Sequence, residues 1–258
     1  TVEKIKLQKI ANKFGTPFYS YSYNKLKENI NNFKKSFKSF SPLICFAVKS
    51  NTNVHIIREI KKLGLGADVV SMGELMMALK AGINPNKIVF SGVGKTSSEI
   101  SFAIDKKILL INAESLSEIK EINRIAKLKN KKIRIGVRLN PNTDAKTLSQ
   151  ISTGKKENKF GVNKNTFYEI LSYCKNSKNI DLKCLSVHIG SQILDYKPYE
   201  KMLKIVTNIL SKADHKFEFI DLGGSLIGGL GHQRWTGYGQ CHHCRAATFG
   251  CYRRRITR

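Results

Sequence analysis

The sequence predicts an α/β protein built on a parallel sheet, either a (β/α)8 barrel or a doubly wound sheet. Seven short apolar runs recur along the chain, and each of the first six is followed by a segment with helical periodicity. The runs are apolar at successive positions, which is typical of strands buried on both faces between helical crossovers. Signals for a helix start directly follow three of the runs, at Ser71 with Glu74, Thr96 with Glu99 and Ser115 with Glu118.

The strand and helix units can be read in order along the chain. The first three pair ICFAVKSN with VHIIREIKKLG, ADVVS with GELMMALKAG, and KIVFSGVG with SSEISFAIDKK. The next three pair LLINAES with LSEIKEINRIAKLKN, IRIGVRLNP with TFYEILSYCKNS, and LSVHIGSQ with YEKMLKIVTNILSKA, and FEFIDLGG is the seventh strand. Nothing between Gly231 and Arg258 reads as a strand followed by a helix. A barrel is therefore predicted to be incomplete, with about seven βα units.

Composition places the chain among globular proteins. Its 258 residues are 41% hydrophobic and 25% charged, and we find no apolar run of about 18 residues that would indicate a membrane span. The N-terminal TVEKIKLQKIANKFG is amphipathic and lacks the features of a secretory signal. Cys45, Cys174 and Cys184 lie in apolar segments, as reduced core thiols do. These features predict a cytoplasmic protein with no membrane partner.

The formal net charge of +26 raises the question of a nucleic-acid partner. The lysines are distributed singly or in pairs between apolar positions of helical segments, as in KENINNFKKSF. This pattern is typical of solvated helix faces. We therefore predict no nucleic-acid partner.

The stretch QCHHCRAATFGCYRRR, residues 240–255, contains Cys241, Cys244 and Cys251. Two thiolates in a Cys-x-x-Cys spacing can share a zinc ion, but a second properly spaced pair is absent. Residues 232–258 contain arginine but neither lysine nor acidic residues, whereas every lysine lies in residues 1–231. We interpret residues 232–258 as an anomalous tail, out of frame or disordered, and predict no metal site. A basic zinc or nucleic-acid-binding module that uses this tail is the alternative.

Candidate site residues close the apolar runs, because the active site of such barrels lies at the carboxyl ends of the strands. Lys49 ends ICFAVK, where partial desolvation would favour a neutral, nucleophilic amine, although a lysine can also simply emerge into solvent there. His188 could be a general base, a ring that stacks on a ligand, or a core histidine. DLGG offers unobstructed backbone N–H groups for a phosphate, and is equally an ordinary turn. Further polar residues at strand ends are Asp68, Ser71, Ser91, Lys95, Asn112, Arg138, Asn140, Ser191 and Asp221.

Seven motifs together resemble one enzyme family. TPFYSYS, FAVKSN, GADVVSMGEL, FSGVGK, ISTGKKENKFGV, SVHIGSQ and DLGG occur in the family's order over about residues 7–224. The chain resembles the diaminopimelate decarboxylases among the alanine-racemase-like, fold type III pyridoxal phosphate enzymes. ISTG, KFG and HIGSQ favour diaminopimelate over ornithine or arginine. The resemblance implies a TIM-type barrel, pyridoxal phosphate as cofactor, and decarboxylation of meso-2,6-diaminopimelate to L-lysine, the last step of lysine biosynthesis.

The resemblance also implies roles for individual residues. Lys49 and His188 are the implied catalytic residues: Lys49 binds the cofactor covalently through its amine and His188 lies against the cofactor ring. Glu74 is implied to support the site, although its helix-capping role explains it equally well. The other implied cofactor-binding residues are Asp68, Arg138, Ser191, Gly223 and Gly224, with Ser191 and the two glycines near the phosphate.

Three departures from the family pattern affect what is expected. The family's loop of three glycines, Leu and Gly is replaced by GGSLIGGLG from Gly223 to Gly231, and Leu148 stands where relatives often carry histidine. The Glu-Pro-Gly-Arg motif, whose glutamate pairs the pyridine nitrogen, and the C-terminal β domain are absent from these 258 residues. The full-length family is expected to form homodimers that share active-site residues, so residues 1–258 alone are expected to have negligible decarboxylase activity. A non-catalytic pyridoxal phosphate-binding barrel is the second interpretation, disfavoured because no eighth strand is predicted.

Overall fold

The computed structural model describes residues 1–36, 42–143, 160–191, 193, 197–224 and 249–252. The chain divides into two compact units, Thr1–Ser41 and Pro42–Arg258. Within these described residues, every helix is too short or too polar to cross a membrane. The predicted division into a barrel of residues 1–231 and a tail of residues 232–258 stays a prediction, since most of the tail lies outside the described residues.

The first unit contains two helices, α1 (Leu7–Phe14) and α2 (Tyr23–Ser36). The start of α2 is fixed by Glu3, whose carboxylate accepts hydrogen bonds from the Ser22 hydroxyl at 2.7 Å and the Asn24 N–H at 2.6 Å. The Ser22 hydroxyl in turn accepts from the Lys25 N–H at 3.1 Å. The Asn24 and Ser22 hydrogen bonds hold the pKa of Glu3 below its ordinary value.

The second unit is a barrel of alternating strands and helices. Its helices are α3 (Val54–Lys62), α4 (Met72–Lys80), α5 (Ser97–Asp105), α6 (Leu116–Leu128), α7 (Lys164–Lys175) and α8 (Lys197–Lys212), and two short 3-10 turns lie at Val48–Ser50 and Pro85–Lys87. Its strands are β1 (Leu43–Ala47), β2 (Gly66–Val69), β3 (Ile88–Phe90), β4 (Leu110–Ala113), β5 (Ile133–Leu139), β6 (Ile180–Val187), β7 (Phe219–Asp221) and β8 (Phe249–Tyr252).

The seven predicted strands are confirmed in their predicted order. Each of β1 to β6 pairs in parallel with the next strand, and the sheet curls into a barrel rather than a doubly wound sheet. The expected seven parallel units are thus present.

An eighth strand, Phe249–Tyr252, closes the barrel and was not predicted from the sequence. It pairs antiparallel with β1 from Leu43↔Tyr252 to Phe46↔Phe249, and with β7 at Asp221↔Tyr252. Its sequence, FGCY, carries a glycine and no β-branched residue, so its strand conformation depends on pairing with β1, about two hundred residues away in the chain. Cys241 and Cys244 of the proposed zinc motif lie outside the described residues.

The three predicted helix starts are confirmed. In each case the N-cap side chain accepts the backbone N–H of a glutamate three residues later. The pairs are Ser71 with Glu74 at 3.2 Å, Thr96 with Glu99 at 3.3 Å, and Ser115 with Glu118 at 3.1 Å.

The three glutamates use their own carboxylates differently. Glu99 completes the reciprocal capping box by accepting the Thr96 N–H at 3.0 Å. Glu74 instead accepts the N–H of Val70 at 3.0 Å, and Glu118 accepts the N–H of Glu114 at 2.8 Å. These two carboxylates therefore also fix the backbone at the ends of β2 and β4.

The barrel interior changes from apolar to polar along the strands. Residues at positions i and i+2 of a strand point to the same side, so each inward-facing residue is followed two positions later by another. The lower layer is apolar and contains Cys45, Val89, Leu110, Cys184 and Phe219. The residues two positions after Val89, Leu110, Cys184 and Phe219 are polar: Ser91, Asn112, Ser186 and Asp221, respectively. Polar groups thus cover the apolar core at the carboxyl end of the barrel.

Candidate active site

A cavity of about 320 Å³ opens at the carboxyl end of the barrel. Its volume is at the lower end of the roughly 300–1,000 Å³ typical of small-molecule sites. The sequence-predicted residues Lys49, Asp68, Arg138, His188, Gly223 and Gly224 all line it. The other lining residues are Ala47, Val70, Ser91, Gly92, Val93, Asn112, Glu114, Phe160, Ser186 and Asp221.

Lys49 lies just beyond the end of β1. The strand ends at Ala47, and Lys49 is in the 3-10 turn Val48–Ser50, which the Ser50 hydroxyl stabilises by donating to the Ala47 carbonyl at 2.7 Å. The lysine is exposed, yet its positive charge acts on His188 and on the carboxyl of Asp68 inside the cavity. Its amine is therefore accessible from solvent and electrostatically connected to the cavity.

The floor of the cavity is a hydrogen-bonded network that links strands across the barrel. The Ser91 hydroxyl donates to Asp68 at 2.6 Å and accepts from the Asn112 amide at 3.3 Å. The same amide donates to Asp221 at 3.1 Å, and the Ser186 hydroxyl donates to Asp221 at 2.7 Å. Five strands, β2, β3, β4, β6 and β7, are thereby connected through side chains beneath the cavity.

The two carboxyl groups of this floor are not equivalent. Burial raises the pKa of Asp68 to about 7; the Ser91 hydrogen bond opposes this rise, and the nearby Asp221 carboxylate adds to it. Asp221 accepts three hydrogen bonds, from Ser186, Asn112 and the Gly223 N–H. The floor can therefore hold one proton near neutral pH, on Asp68.

One polar atom of the floor is unsatisfied among the described residues. The Asn112 Oδ1 atom is buried without a hydrogen-bond partner there. It lies against Gly136 of β5, where a Cβ atom would collide with it. Glycine at position 136 is therefore required for Asn112 to reach Asp221 across the barrel.

One wall of the cavity is formed by a buried ion pair. Arg138 donates to the Glu114 carboxylate at 2.9 Å, and only 11% and 4% of the two side chains are exposed. The guanidinium also donates to the His188 carbonyl at 3.5 Å and lies over the Phe160 ring at 4.8 Å. The second oxygen of Glu114 accepts the Gly161 N–H at 2.9 Å.

His188 presents a neutral imidazole to the cavity. Burial lowers its pKa to about 3, and the positive charges of Arg138 and Lys49 contribute to the decrease. The Gly224 N–H donates to its Nδ1 atom at 3.4 Å, which places the ring hydrogen on Nε2. The ring can therefore contact a ligand without adding a positive charge.

The turn after β7 is fitted closely against His188. Gly223 has a φ of +67°, and a Cβ there would lie 2.6 Å from the His188 Nδ1 atom and 2.8 Å from the Val187 carbonyl. The Gly223 N–H is held by Asp221 at 2.9 Å. Glycine is therefore required at this position by both backbone conformation and space.

Five residues named from the sequence do not line the cavity: Ser71, Glu74, Lys95, Asn140 and Ser191. The carboxylate of Glu74 accepts the Val70 N–H and not the N–H of the N-cap Ser71, so only half of the implied capping box is formed. Ser191 is described and is not among the lining residues. The assignment of Ser191 to a phosphate stays a prediction. Leu148 and the loop from Ser225 to Gly231 lie outside the described residues.

Two polar lining residues were missed by the sequence analysis, Glu114 and Ser186. Glu114 follows Asn112 by two positions and Ser186 precedes His188 by two. The strand period of two would have placed both on the inward face, because their neighbours were already candidates.

An accessible lysine amine beside a neutral imidazole, both at the carboxyl end of a barrel, defines a (β/α)-barrel domain suited to lysine-dependent cofactor chemistry. Comparison with known families agrees: residues 23–240 match the model described as pyridoxal-dependent decarboxylase, pyridoxal binding domain. The chain belongs to this family. The resemblance inferred from the motifs is thereby confirmed, and so is the predicted cofactor, since the domain is a pyridoxal-binding one.

Individual relatives are diaminopimelate decarboxylases. The chain is 41% identical to the one from Aquifex aeolicus, over 87% of this chain and 54% of that protein, and 45% identical to the one from Helicobacter pylori strain J99, over 83% and 53%. The chain also matches the crystal structure of the diaminopimelate decarboxylase of M. jannaschii in complex with L-lysine. The sequence identity is 34% and the TM-score is 0.80, over 88% of this chain and 55% of that one. The chain thus spans about half the length of the relatives it matches.

The residues present fit pyridoxal phosphate. Its aldehyde requires an accessible amine, which Lys49 provides, and its flat ring can pack against the neutral His188 imidazole. Gly223 and Gly224 leave backbone close to the cavity free of side chains, as a bound phosphate needs.

Proposed function

We propose that this chain is the cofactor-binding barrel of a diaminopimelate decarboxylase, which converts meso-2,6-diaminopimelate to L-lysine and CO2 as the last step of lysine biosynthesis. The observation that carries the proposal is that Lys49 and His188 line one cavity with a polar, hydrogen-bonded floor. The names of the relatives supply the substrate, and the complex of one of them with L-lysine supports a small amino acid as the ligand.

Each catalytic residue has one task in this proposal. Pyridoxal phosphate, when bound, accepts into its ring the electron pair that the departing CO2 leaves behind. The Lys49 amine would hold the cofactor through its aldehyde. His188 would support the ring as a neutral group, so that it would not draw the developing negative charge away from the cofactor.

The remaining residues hold the cofactor and its surroundings. We assign Gly223, Gly224 and Ser191 to the phosphate, because the two glycines leave space beside the backbone and a hydroxyl is a suitable donor. The N–H groups of Gly223 and Gly224 donate to Asp221 and His188 in this structure, so they would have to leave these partners to bind a phosphate. Asp68 supports the site from the floor, where its proton near neutral pH limits the negative charge beneath the cofactor. Arg138 supports His188 from the wall.

We also propose the assembly and location that accompany this function. A homodimer in which each active site is completed by residues of a second subunit would match the enzyme family. A cytoplasmic location is consistent with the buried free thiols of Cys45, Cys174 and Cys184. Neither nucleic acid nor membrane is part of the proposal.

A non-catalytic pyridoxal phosphate-binding barrel is the second candidate. One observation favours it: β8 closes the barrel by pairing with both β1 and β7, so the barrel does not depend on a further parallel strand.

Ligand binding to the cofactor-loaded chain discriminates between the two candidates. The visible absorbance band of the bound cofactor is recorded while meso-diaminopimelate, L-ornithine or L-arginine is added, with Lys49→Ala as the control that should show no band. A decarboxylase half is expected to respond to meso-diaminopimelate and much less to the other two. A cofactor band that none of the three amino acids changes would contradict the decarboxylase proposal and support the non-catalytic barrel.

A further inference from the structure

Two ion pairs with little exposure lie at the carboxyl end of the barrel, and the second of them lines the cavity. In the first, Lys95 and Glu118 approach to 2.7 Å with 1% and 11% of their side chains exposed. In the second, Arg138 and Glu114 approach to 2.9 Å with 11% and 4% exposed. A charge in such a place is costly unless its partner is held in position, so the contacts of these four residues define what each can do.

The first pair fixes the backbone of Glu114. Lys95 donates to the carbonyls of Gly92 at 2.6 Å and Asn112 at 2.7 Å as well as to Glu118. The second oxygen of Glu118 accepts the Glu114 N–H at 2.8 Å. The main chain that leads into Glu114 is therefore held at the Asn112 carbonyl and at the Glu114 N–H.

The side chain of Glu114 then holds two separate segments with its two oxygens. One oxygen accepts from Arg138 of β5, and the other accepts the Gly161 N–H at 2.9 Å. Gly161 has a φ of +74° and packs so closely that a Cβ there would lie 2.9 Å from the Arg138 carbonyl. Phe160, its neighbour, covers the guanidinium of Arg138 at 4.8 Å.

Arg138 connects Glu114 to His188 by a hydrogen bond to each. Its second terminal nitrogen donates to the His188 carbonyl at 3.5 Å, which is longer than its 2.9 Å bond to Glu114. The longer bond is the weaker one, so the orientation of the guanidinium is set by Glu114 and the contact to His188 follows from it.

We propose that Glu114 is a positioning residue, which acts through Arg138 on His188 and holds the Phe160–Gly161 turn against the cavity. Both of its carboxylate oxygens are engaged, one by Arg138 and the other by the Gly161 N–H, so it acts through these two partners. Its effect on cofactor affinity rests on the proposed function, whereas its effect on Arg138, Gly161 and His188 can be measured in the chain without cofactor.

A double-mutant cycle tests the proposal. Glu114→Gln keeps the size of the side chain but turns an amide N–H₂ toward one of its two partners, and it is compared with Arg138→Gln and with the double variant. Glu121→Gln is the matched control, because Glu121 also forms an ion pair with an arginine, Arg124, on the exposed side of α6. Glu114→Asp, which keeps the charge and shortens its reach, serves if Glu114→Gln does not fold.

Two readouts are taken, amide hydrogen exchange without cofactor and the Kd for pyridoxal phosphate. In Glu114→Gln, exchange is expected to be about tenfold faster at Gly161 and in residues 187–190, and the Kd about tenfold higher. The double variant is expected to match Arg138→Gln in the Kd and in residues 187–190, because the effect passes through the arginine. Glu121→Gln should stay within about twofold of the unmodified chain in both readouts.

The two possible failures are distinguishable. Unchanged exchange in residues 187–190 of Glu114→Gln, or effects of the two single variants that simply add in the double variant, would overturn the positioning role. If the unmodified chain binds no pyridoxal phosphate, the proposed function fails, while the exchange data still decide the role of Glu114.

Discussion

The Ser91 hydroxyl donates a 2.6 Å hydrogen bond to the carboxyl of Asp68 at the floor of the cavity. Asp68 has a pKa raised to about 7 mainly by burial, whereas the pKa of His188 in the same cavity is lowered to about 3, again mainly by burial. Burial favours the neutral form of both groups, so their contributions to stability change with pH in opposite directions. Single substitutions can separate the two.

The unmodified chain is expected to lose stability as pH rises because of Asp68, and Asp68→Asn is expected to lack this loss. The folded protein keeps the Asp68 proton up to about pH 7, whereas the unfolded chain loses it near the ordinary value of 3.8. The stability from this group is therefore present at low pH and is lost as pH rises from about 4 to 7. Relative to Asp68→Asn, the unmodified chain should lose about 3 kcal/mol between pH 5 and pH 8 in urea unfolding.

Asp105→Asn is the control for this experiment. Asp105 is an exposed carboxylate whose pKa is lowered by Lys129 and Lys131, so it is ionised throughout the same pH range. Its replacement should leave the pH dependence unchanged. If Asp68→Asn behaves in the same way as this control, Asp68 does not hold a proton in the folded protein.

Replacing His188 by Gln is expected to reveal the opposite dependence. The folded protein keeps the ring neutral down to about pH 3, whereas the unfolded chain binds a proton near the ordinary value of 6.5. Stability is therefore lost as pH falls below about 6.5. Relative to His188→Gln, the unmodified chain should be about 2 kcal/mol less stable at pH 5 than at pH 8. A difference that does not vary with pH would contradict the neutral assignment.

Gly223→Ala is expected to lower the free energy of unfolding by more than the positive φ of the residue alone explains. Gly94 has a φ of +75° and no atom within 4 Å of the position that an alanine methyl group would occupy, so Gly94→Ala measures the conformational cost, about 1 kcal/mol. Gly223→Ala adds the clash with His188 at 2.6 Å and should cost about 2–4 kcal/mol. It should also weaken cofactor binding, which Gly94→Ala should not. Equal losses of unfolding free energy in the two variants would mean that the turn does not press against His188.

Lys95→Met is expected to destabilise the protein strongly, in contrast to the replacement of an exposed lysine. The substitution leaves Glu118 almost buried without its partner and removes two further hydrogen bonds to carbonyls. The expected loss of unfolding free energy is about 3–5 kcal/mol. Lys62→Met removes an exposed pair with Glu59 and should cost less than about 1 kcal/mol. A small loss in Lys95→Met would show that its network is not held together in solution.

The sequence predicts the barrel because its signals are local. Apolar runs such as ICFAV and the caps at Ser71, Thr96 and Ser115 depend on neighbours a few residues away, and all four are confirmed. Phe249–Tyr252 shows the opposite case, since it pairs with β1, which lies about two hundred residues away in the chain. Such long-range pairing leaves no periodic signal in a four-residue segment.

The site could be predicted in position but not in its interactions. The ends of the strands gave Lys49, Asp68 and His188, because parallel strands bring their carboxyl ends to one side of a barrel. The pairing of Arg138 with Glu114 depends on how β4 and β5 align and on the return of the chain at Gly161, and no spacing in the sequence encodes it.

Covalent capture of the cofactor tests the central claim most directly. The chain is incubated with pyridoxal phosphate, the product is reduced with borohydride, and the labelled peptides are identified by mass spectrometry, with Lys49→Arg as the control. We expect one dominant label, on the peptide that contains Lys49, and its loss in Lys49→Arg together with the visible absorbance band. Label spread over the exposed lysines, or an unchanged band in Lys49→Arg, would contradict the claim.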